Sequence, residues 1–137
     1  MPELFDQNGV QFYYPDNWTV SEEASQEATT ITLETPKTGF MNFVVYDKYA
    51  SPQQLIDNVL QSLEQEYENV EYEPNPELEE VAYEVFFYCM NMVVSAVVQA
   101  WREESRSIVV LYQAESREFD EMRSVFEAIV FSLRGAT

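Results

Sequence analysis

The spacing of hydrophobic and polar residues changes several times along this chain, and each change marks an element. Val10-Gln11-Phe12-Tyr13-Tyr14 is a β-prone run. Pro15-Asp16-Asn17 behind it reads as a turn, because proline fixes φ and Asp and Asn accept turn conformations. Trp18-Thr19-Val20 starts a second short strand. Thr29 to Thr35 and Phe40 to Tyr46 follow as strands on either side of Pro36-Lys37-Thr38-Gly39, which has the proline and glycine of a hairpin loop. Thr30, Thr32 and Glu34 alternate with Ile31 and Leu33, so that strand shows one face to water.

A period near 3.6 then takes over. Ser51 is placed to cap a helix, Pro52 suits its first turn, and Gln54 stands where a capping box wants it. Leu55, Ile56, Val59, Leu60, Leu63 and Tyr67 form one apolar stripe, with Asp57, Gln61, Glu64, Gln65 and Glu68 on the other side. Beyond Asn69 the chain becomes extended, Val70 and Tyr72 alternating with Glu71 and Glu73 before Pro74-Asn75-Pro76. Strands are predicted at Val81 to Met90, Met92 to Arg102 and Ser107 to Ala114, and their connections are too short for parallel crossovers, so they form an antiparallel meander. A second amphipathic helix is predicted from Arg117 to Leu133, with Phe119, Met122, Phe126, Ile129 and Leu133 on one face. Consecutive apolar residues in the meander, such as Phe86-Phe87-Tyr88 and Ile108-Val109-Val110-Leu111-Tyr112, imply cover on both faces of the sheet. The expected fold is an α+β, α/β/α sandwich: an antiparallel meander flanked by helices on both faces, as one domain over residues 1–137.

The order of elements and the segment Phe12-Tyr13-Tyr14-Pro15-Asp16-Asn17-Trp18 resemble the PsbP/Mog-type fold family. The resemblance implies non-enzymatic work by contact with other proteins, since members include photosystem II extrinsic subunits, a Ran-binding nuclear-import factor and bacterial chaperones for secreted effectors. It carries over no functional residue, and Trp18 is expected to be a packing anchor.

Composition narrows the function. The 7 basic and 25 acidic side chains give a net charge of −18, which repels phosphate backbones and anionic lipid, so nucleic acid and membrane are poor partners. With no histidine, the commonest general base and transition-metal ligand are both missing, and only three glycines, at 9, 39 and 135, leave no phosphate loop to write. Cys89, the one cysteine, reads as a core residue with no internal disulfide to make. No spaced-acid loop with its glycine marks a calcium site, and no cofactor is expected. The start, Met1-Pro2-Glu3-Leu4-Phe5-Asp6, has neither the basic nor the apolar segment of a signal peptide, so a cytoplasmic location is expected.

Charge is uneven along the chain. Residues 1–80 hold 17 acids and 2 bases, and residues 81–137 hold 8 acids and 5 bases. Glu64, Glu66, Glu68, Glu71, Glu73, Glu77, Glu79 and Glu80, with Tyr67 and Tyr72 among them, are the candidate partner-binding patch for a basic protein surface. The plain alternative is a solvated helix end and loop. The 9 Phe, 9 Tyr, 5 Met and 2 Trp suggest a second mode, contact through apolar surface, either as a homodimer or as a chaperone for hydrophobic segments. A hydrolase built on two carboxylates is the remaining enzymatic alternative.

Overall fold

The computed structural model describes residues 2–76, 81–103 and 105–135. Among the described residues nine strands and two helices follow one another as β1 (Pro2–Gln7), β2 (Val10–Pro15), β3 (Thr19–Ala24), β4 (Ala28–Glu34), β5 (Phe40–Tyr46), α1 (Pro52–Glu66), β6 (Glu68–Pro74), β7 (Val81–Cys89), β8 (Met92–Glu103), β9 (Arg106–Glu115) and α2 (Ser116–Gly135). Seven strands form one sheet in the order β3-β4-β5-β9-β8-β7-β6, each pair antiparallel. β1 and β2 form a separate two-stranded sheet.

β2 is the strand expected from Val10 to Tyr14, but β1 and its pairing with β2 are absent from the sequence expectation. Only Phe5 of β1 is buried, so the strand has no alternating pattern to read, and the one local signal is Asn8-Gly9 at its turn. Both residues take positive φ, 53° and 76°, the backbone that a two-residue hairpin turn requires. Arg106 fixes the turn by donating through Nη1 to the Gly9 carbonyl at 2.9 Å.

The predicted turn after β2 forms, with Trp18 N–H donating to the Pro15 carbonyl at 3.1 Å. Trp18 ends that turn rather than starting the strand, and its ring meets Phe126 of α2 edge-on at 5.5 Å, as a packing anchor. The first helix forms as the capping residues predict: Ser51 Oγ accepts from Gln54 N–H, and Pro52 fills the first turn. Tyr67 lies past the helix in extended backbone, where its ring stacks on Phe87 at 4.4 Å.

The buried residues form two clusters. Leu55, Ile56, Leu60 and Leu63 of α1 pack with Val85, Phe87, Val94, Ala96, Val98, Ala100 and Val109. Phe119, Phe126, Ile129, Val130 and Leu133 of α2 pack with Ile31, Leu33, Met41, Phe43, Ile108, Val110 and Tyr112, joined by Phe5, Val10 and Phe12 of the small hairpin. Successive residues of β9 thus go to different clusters, the period of two that a strand imposes. Of the two helices, α1 packs on β6, β7, β8 and β9, whereas α2 packs on β2, β8 and β9.

Candidate functional site

The register of β6 on β7 decides where the glutamates go. Glu71 stands opposite Phe86, Tyr72 opposite Val85, Glu73 opposite Glu84, and Glu68 opposite Tyr88 across a bulge. Because side chains alternate between faces, Tyr72 shares the side of Val85 and Phe87, the side packed by α1, while Glu71 and Glu73 share the side of Phe86. Tyr72 meets Tyr83 edge-on at 6.0 Å. Glu64 and Glu66 lie in the last turn of α1, exposed at the negative end of the helix dipole with no base in that turn to offset them. The candidate patch therefore divides between a helix end and a sheet face, and Glu77, Glu79 and Glu80 lie outside the described residues.

The sheet face that receives Glu71 also carries three exposed apolar side chains. Phe86 is 39 % exposed and Tyr88 53 %, two residues apart on β7, and Val93 of β8, directly opposite Tyr88, is 45 % exposed. The cover implied by Phe86-Phe87-Tyr88 is thus present on the Phe87 side, while Phe86 and Tyr88 stay open to solvent. Beyond them Met90 and Asn91 make the β7–β8 turn with φ of 53° and 64°. Asn adopts that region readily, but a Met there carries strain. Met90 is nonetheless 86 % exposed, so its side chain obtains no packing in return. Together with Glu66, Tyr67, Glu68, Asn69, Tyr88, Cys89 and Asn91 it lines an open cleft of about 650 Å³ at this end of the sheet. Burial, then the Glu66 charge and Cys89, raise the Tyr67 phenol above its ordinary range.

Two carboxylates among the described residues are held below their usual range. Glu84 accepts from Nη2 and Nη1 of Arg123 in α2, at 2.8 and 3.3 Å, and from the Asn75 amide at 2.7 Å. Burial works to raise its carboxyl, but the Arg123 and Asn75 hydrogen bonds and the Arg123 charge outweigh it and hold the group below the usual range. Glu118 is buried at the start of α2. It accepts from the Thr35 hydroxyl at 2.6 Å and from the Thr38 hydroxyl and N–H at 2.6 and 2.8 Å, and these bonds likewise overcome burial to lower it. Both are shifted away from the behaviour of a general acid. Among the described residues no group of three or more His, Cys, Asp or Glu is placed to hold a metal ion, and no helix is long and apolar enough to cross a membrane.

A second depression, about 520 Å³, runs between the small hairpin and α2 and is lined by Tyr13, Tyr14, Pro15, Val125, Ala128 and Ile129 among others. The Tyr13 N–H that borders it is already bonded to Ser132 Oγ at 3.0 Å, and its walls are mostly apolar.

No family profile and no curated protein matches the chain. Among solved structures, the solution structure of cyanobacterial PsbP (CyanoP) from Synechocystis sp. PCC 6803 superposes with a TM-score of 0.62 at 13 % identity, covering 96 % of this chain and 90 % of that one. The fold is therefore PsbP-like: mixed α+β, with a large antiparallel sheet and two helices.

Proposed function

We propose that this chain is a non-enzymatic protein-binding or adaptor domain whose partner presents a basic surface. Within the PsbP-like fold we infer an α/β/α layering of the Mog type, supported by the division of the core into one cluster around α1 and another around α2. The observation that carries the functional reading is the open sheet face. Phe86, Tyr88 and Val93 lie side by side in solvent, and Glu68 and Glu71 stand directly across the ladder from Tyr88 and Phe86. Apolar contact area bordered by charge is the composition of a recognition surface, in which the charges set orientation and partner choice. Glu84 and Glu118, both held by several hydrogen bonds and lowered, are poorly suited to serve as the general acid of a carboxylate hydrolase. Exposed Met90 favours one second reading, a chaperone for hydrophobic segments, because a flexible thioether adapts to varied apolar partners.

Quantitative capture from a host extract tests the proposal, comparing the native chain with a Glu71→Lys/Glu73→Lys variant at low and high salt. A defined set of basic proteins, lost with salt and with the charge reversal, is the expected result. Equal capture by the variant at low salt would refute the charge reading. A hydrolytic activity abolished by neutralising Glu84 or Glu118 alone would refute the binding reading.

A further inference from the structure

The two faces of the seven-stranded sheet are left open in different places, and what they show there differs. On the α1 side, β4 presents Thr30, Thr32 and Glu34, and Thr32 Oγ1 bonds to Asn42 of β5 at 2.8 Å. Over β4 that open area is polar, as a solvated sheet face should be, and towards α1 it passes into a groove of about 470 Å³ whose apolar lining, Val44, Tyr46, Val59 and Leu111 among it, already packs with the α1 cluster. On the other side α2 and the small hairpin pack over the strands from β4 to β8, and α2 reaches β7 through the Arg123–Glu84 pair. Past Arg123 the β6–β7 end of the sheet presents Phe86 and Tyr88, with Val93 of β8 next to them. An apolar area without a covering layer is the exception that asks for an occupant.

From this geometry we infer that the open area receives an amphipathic helix from another protein, its apolar stripe on Phe86, Tyr88 and Val93 and its flank beside β6 rich in Lys or Arg. The inference rests on the binding function proposed above and adds the surface and the kind of partner. Two features support a helix. Strands are spaced by about 4.8 Å, so β6 and β7 together leave a strip of about 10 Å, apolar along β7 and acidic along its β6 border, which is the width of one helix with its side chains. The strip also lies beside α2 on the face where this fold already packs a helix on β8 and β9, so a second helix continues an existing layer.

Charge selects the partner. Glu68, Glu71 and Glu73 border the strip along β6, while Arg123 at its inner side is already paired with Glu84. Glu115 and Arg117 stand near Val93 and offset one another there. A second copy of this chain would bring a net −18 and the same row of glutamates against this one, which disfavours self-association through this face. A helix with Lys or Arg on the β6 side meets the row with opposite sign. The polar backbone edge of β6 is a poorer anchor for an added strand, because Pro74 has no N–H to give and the Glu68/Glu71 bulge interrupts the ladder.

A synthetic peptide of about 18 residues, long enough to be helical when bound, is the probe. It carries Leu at spacings of three and four and Lys on both flanks; the controls are a scrambled peptide of the same composition and one with Glu for Lys. Affinity is read by fluorescence anisotropy and the contact by amide NMR shifts on the full chain. The amphipathic Leu/Lys peptide should bind at least about tenfold more tightly than the scrambled one, with shifts concentrated in β6, β7 and the first residues of β8. A Phe86→Ser/Tyr88→Ser variant should lose that margin with only a modest fall in the thermal midpoint, and a Phe86→Thr/Tyr88→Thr variant, which keeps β-branched strand residues, should lose the margin as well. Equal binding of the scrambled peptide, shifts confined to the α2–β2 groove or the α1 end, or a salt-resistant dimer dissolved by Phe86→Ser/Tyr88→Ser would each overturn the inference. If host-extract capture depends on the β6 glutamates but ignores Phe86 and Tyr88, the binding function stands and this surface does not.

Discussion

Replacing Glu118 with Gln removes one charge from the junction between the β4–β5 loop and α2 and little volume. The native carboxylate accepts three hydrogen bonds, from the Thr35 and Thr38 hydroxyls and the Thr38 N–H. An amide has one acceptor oxygen, so its NH₂ must face a donor on one side. Thr35 cannot easily turn to accommodate it, because its Oγ1 already accepts from the N–H groups of Lys37 and Gly39. Hydrogen bonds to charged groups are worth about 1.5–3 kcal/mol each, and the Gln keeps part of the set, so a loss of about 1–2 kcal/mol is expected at pH 7. For a domain of this size that is a fall of roughly 3–8 °C in Tm. The sign with pH follows from the lowered Glu118 carboxyl. A group depressed in the folded state stabilises above its unfolded pKa, and the contribution is lost as pH falls through the folded value. The gap between the native protein and the Glu118→Gln variant should therefore be full at neutral pH, begin to shrink near the ordinary glutamate pKa, and close in stronger acid. Urea unfolding followed by fluorescence of Trp18 and Trp101, both buried, measures it at each pH. Taking the difference between two proteins cancels the general effect of discharging an acidic chain. A gap below about 0.5 kcal/mol at pH 7, or one that stays constant into acid, would refute the reasoning.

Arg123→Ala should cost about 1–3 kcal/mol by leaving Glu84 half-buried opposite Glu73, and adding Glu73→Gln should recover part of it in a double-mutant cycle by urea unfolding. Met90→Gly should stabilise the β7–β8 turn by about 0.5–1 kcal/mol, read as a higher urea midpoint, because glycine takes the positive φ without the penalty a Met side chain carries there. The same substitution should weaken binding of the Leu/Lys peptide if Met90 extends the apolar contact, an opposition of stability and affinity that anisotropy detects.

Most elements of the fold are legible from local physics. Ser51, Pro52 and Gln54 announce α1, because capping depends on residues within one turn. The three long strands and α2 appear within two residues of their expected ends, since Asn91 and the 103–105 segment interrupt strong apolar runs. Strand order is a different matter. β5 pairs with β9, and the chain crosses through α1 to enter the sheet again at its far edge, a choice made by which faces bury together and recorded at no single residue. β1 escapes a reading based on alternation because one buried residue, Phe5, makes no pattern, and Asn8-Gly9 alone marks its turn.

The candidate site is legible in composition and hidden in register. Glutamates 64 to 73 are visibly dense in the sequence, but a shift of one residue in the β6–β7 pairing would exchange Tyr72 for Glu71 and Glu73 beside Phe86, reversing which face is acidic and which aromatic. Phe86-Phe87-Tyr88 carries the decisive signal in the other direction. A run apolar at successive positions demands cover on both sides of the strand, and α1 supplies it for Phe87 alone. The unmet half of that demand is the physical basis on which a partner is proposed. Sequence patterns state how much apolar surface needs a neighbour, and only the packed structure shows that, for Phe86 and Tyr88, the described residues of the chain do not provide one.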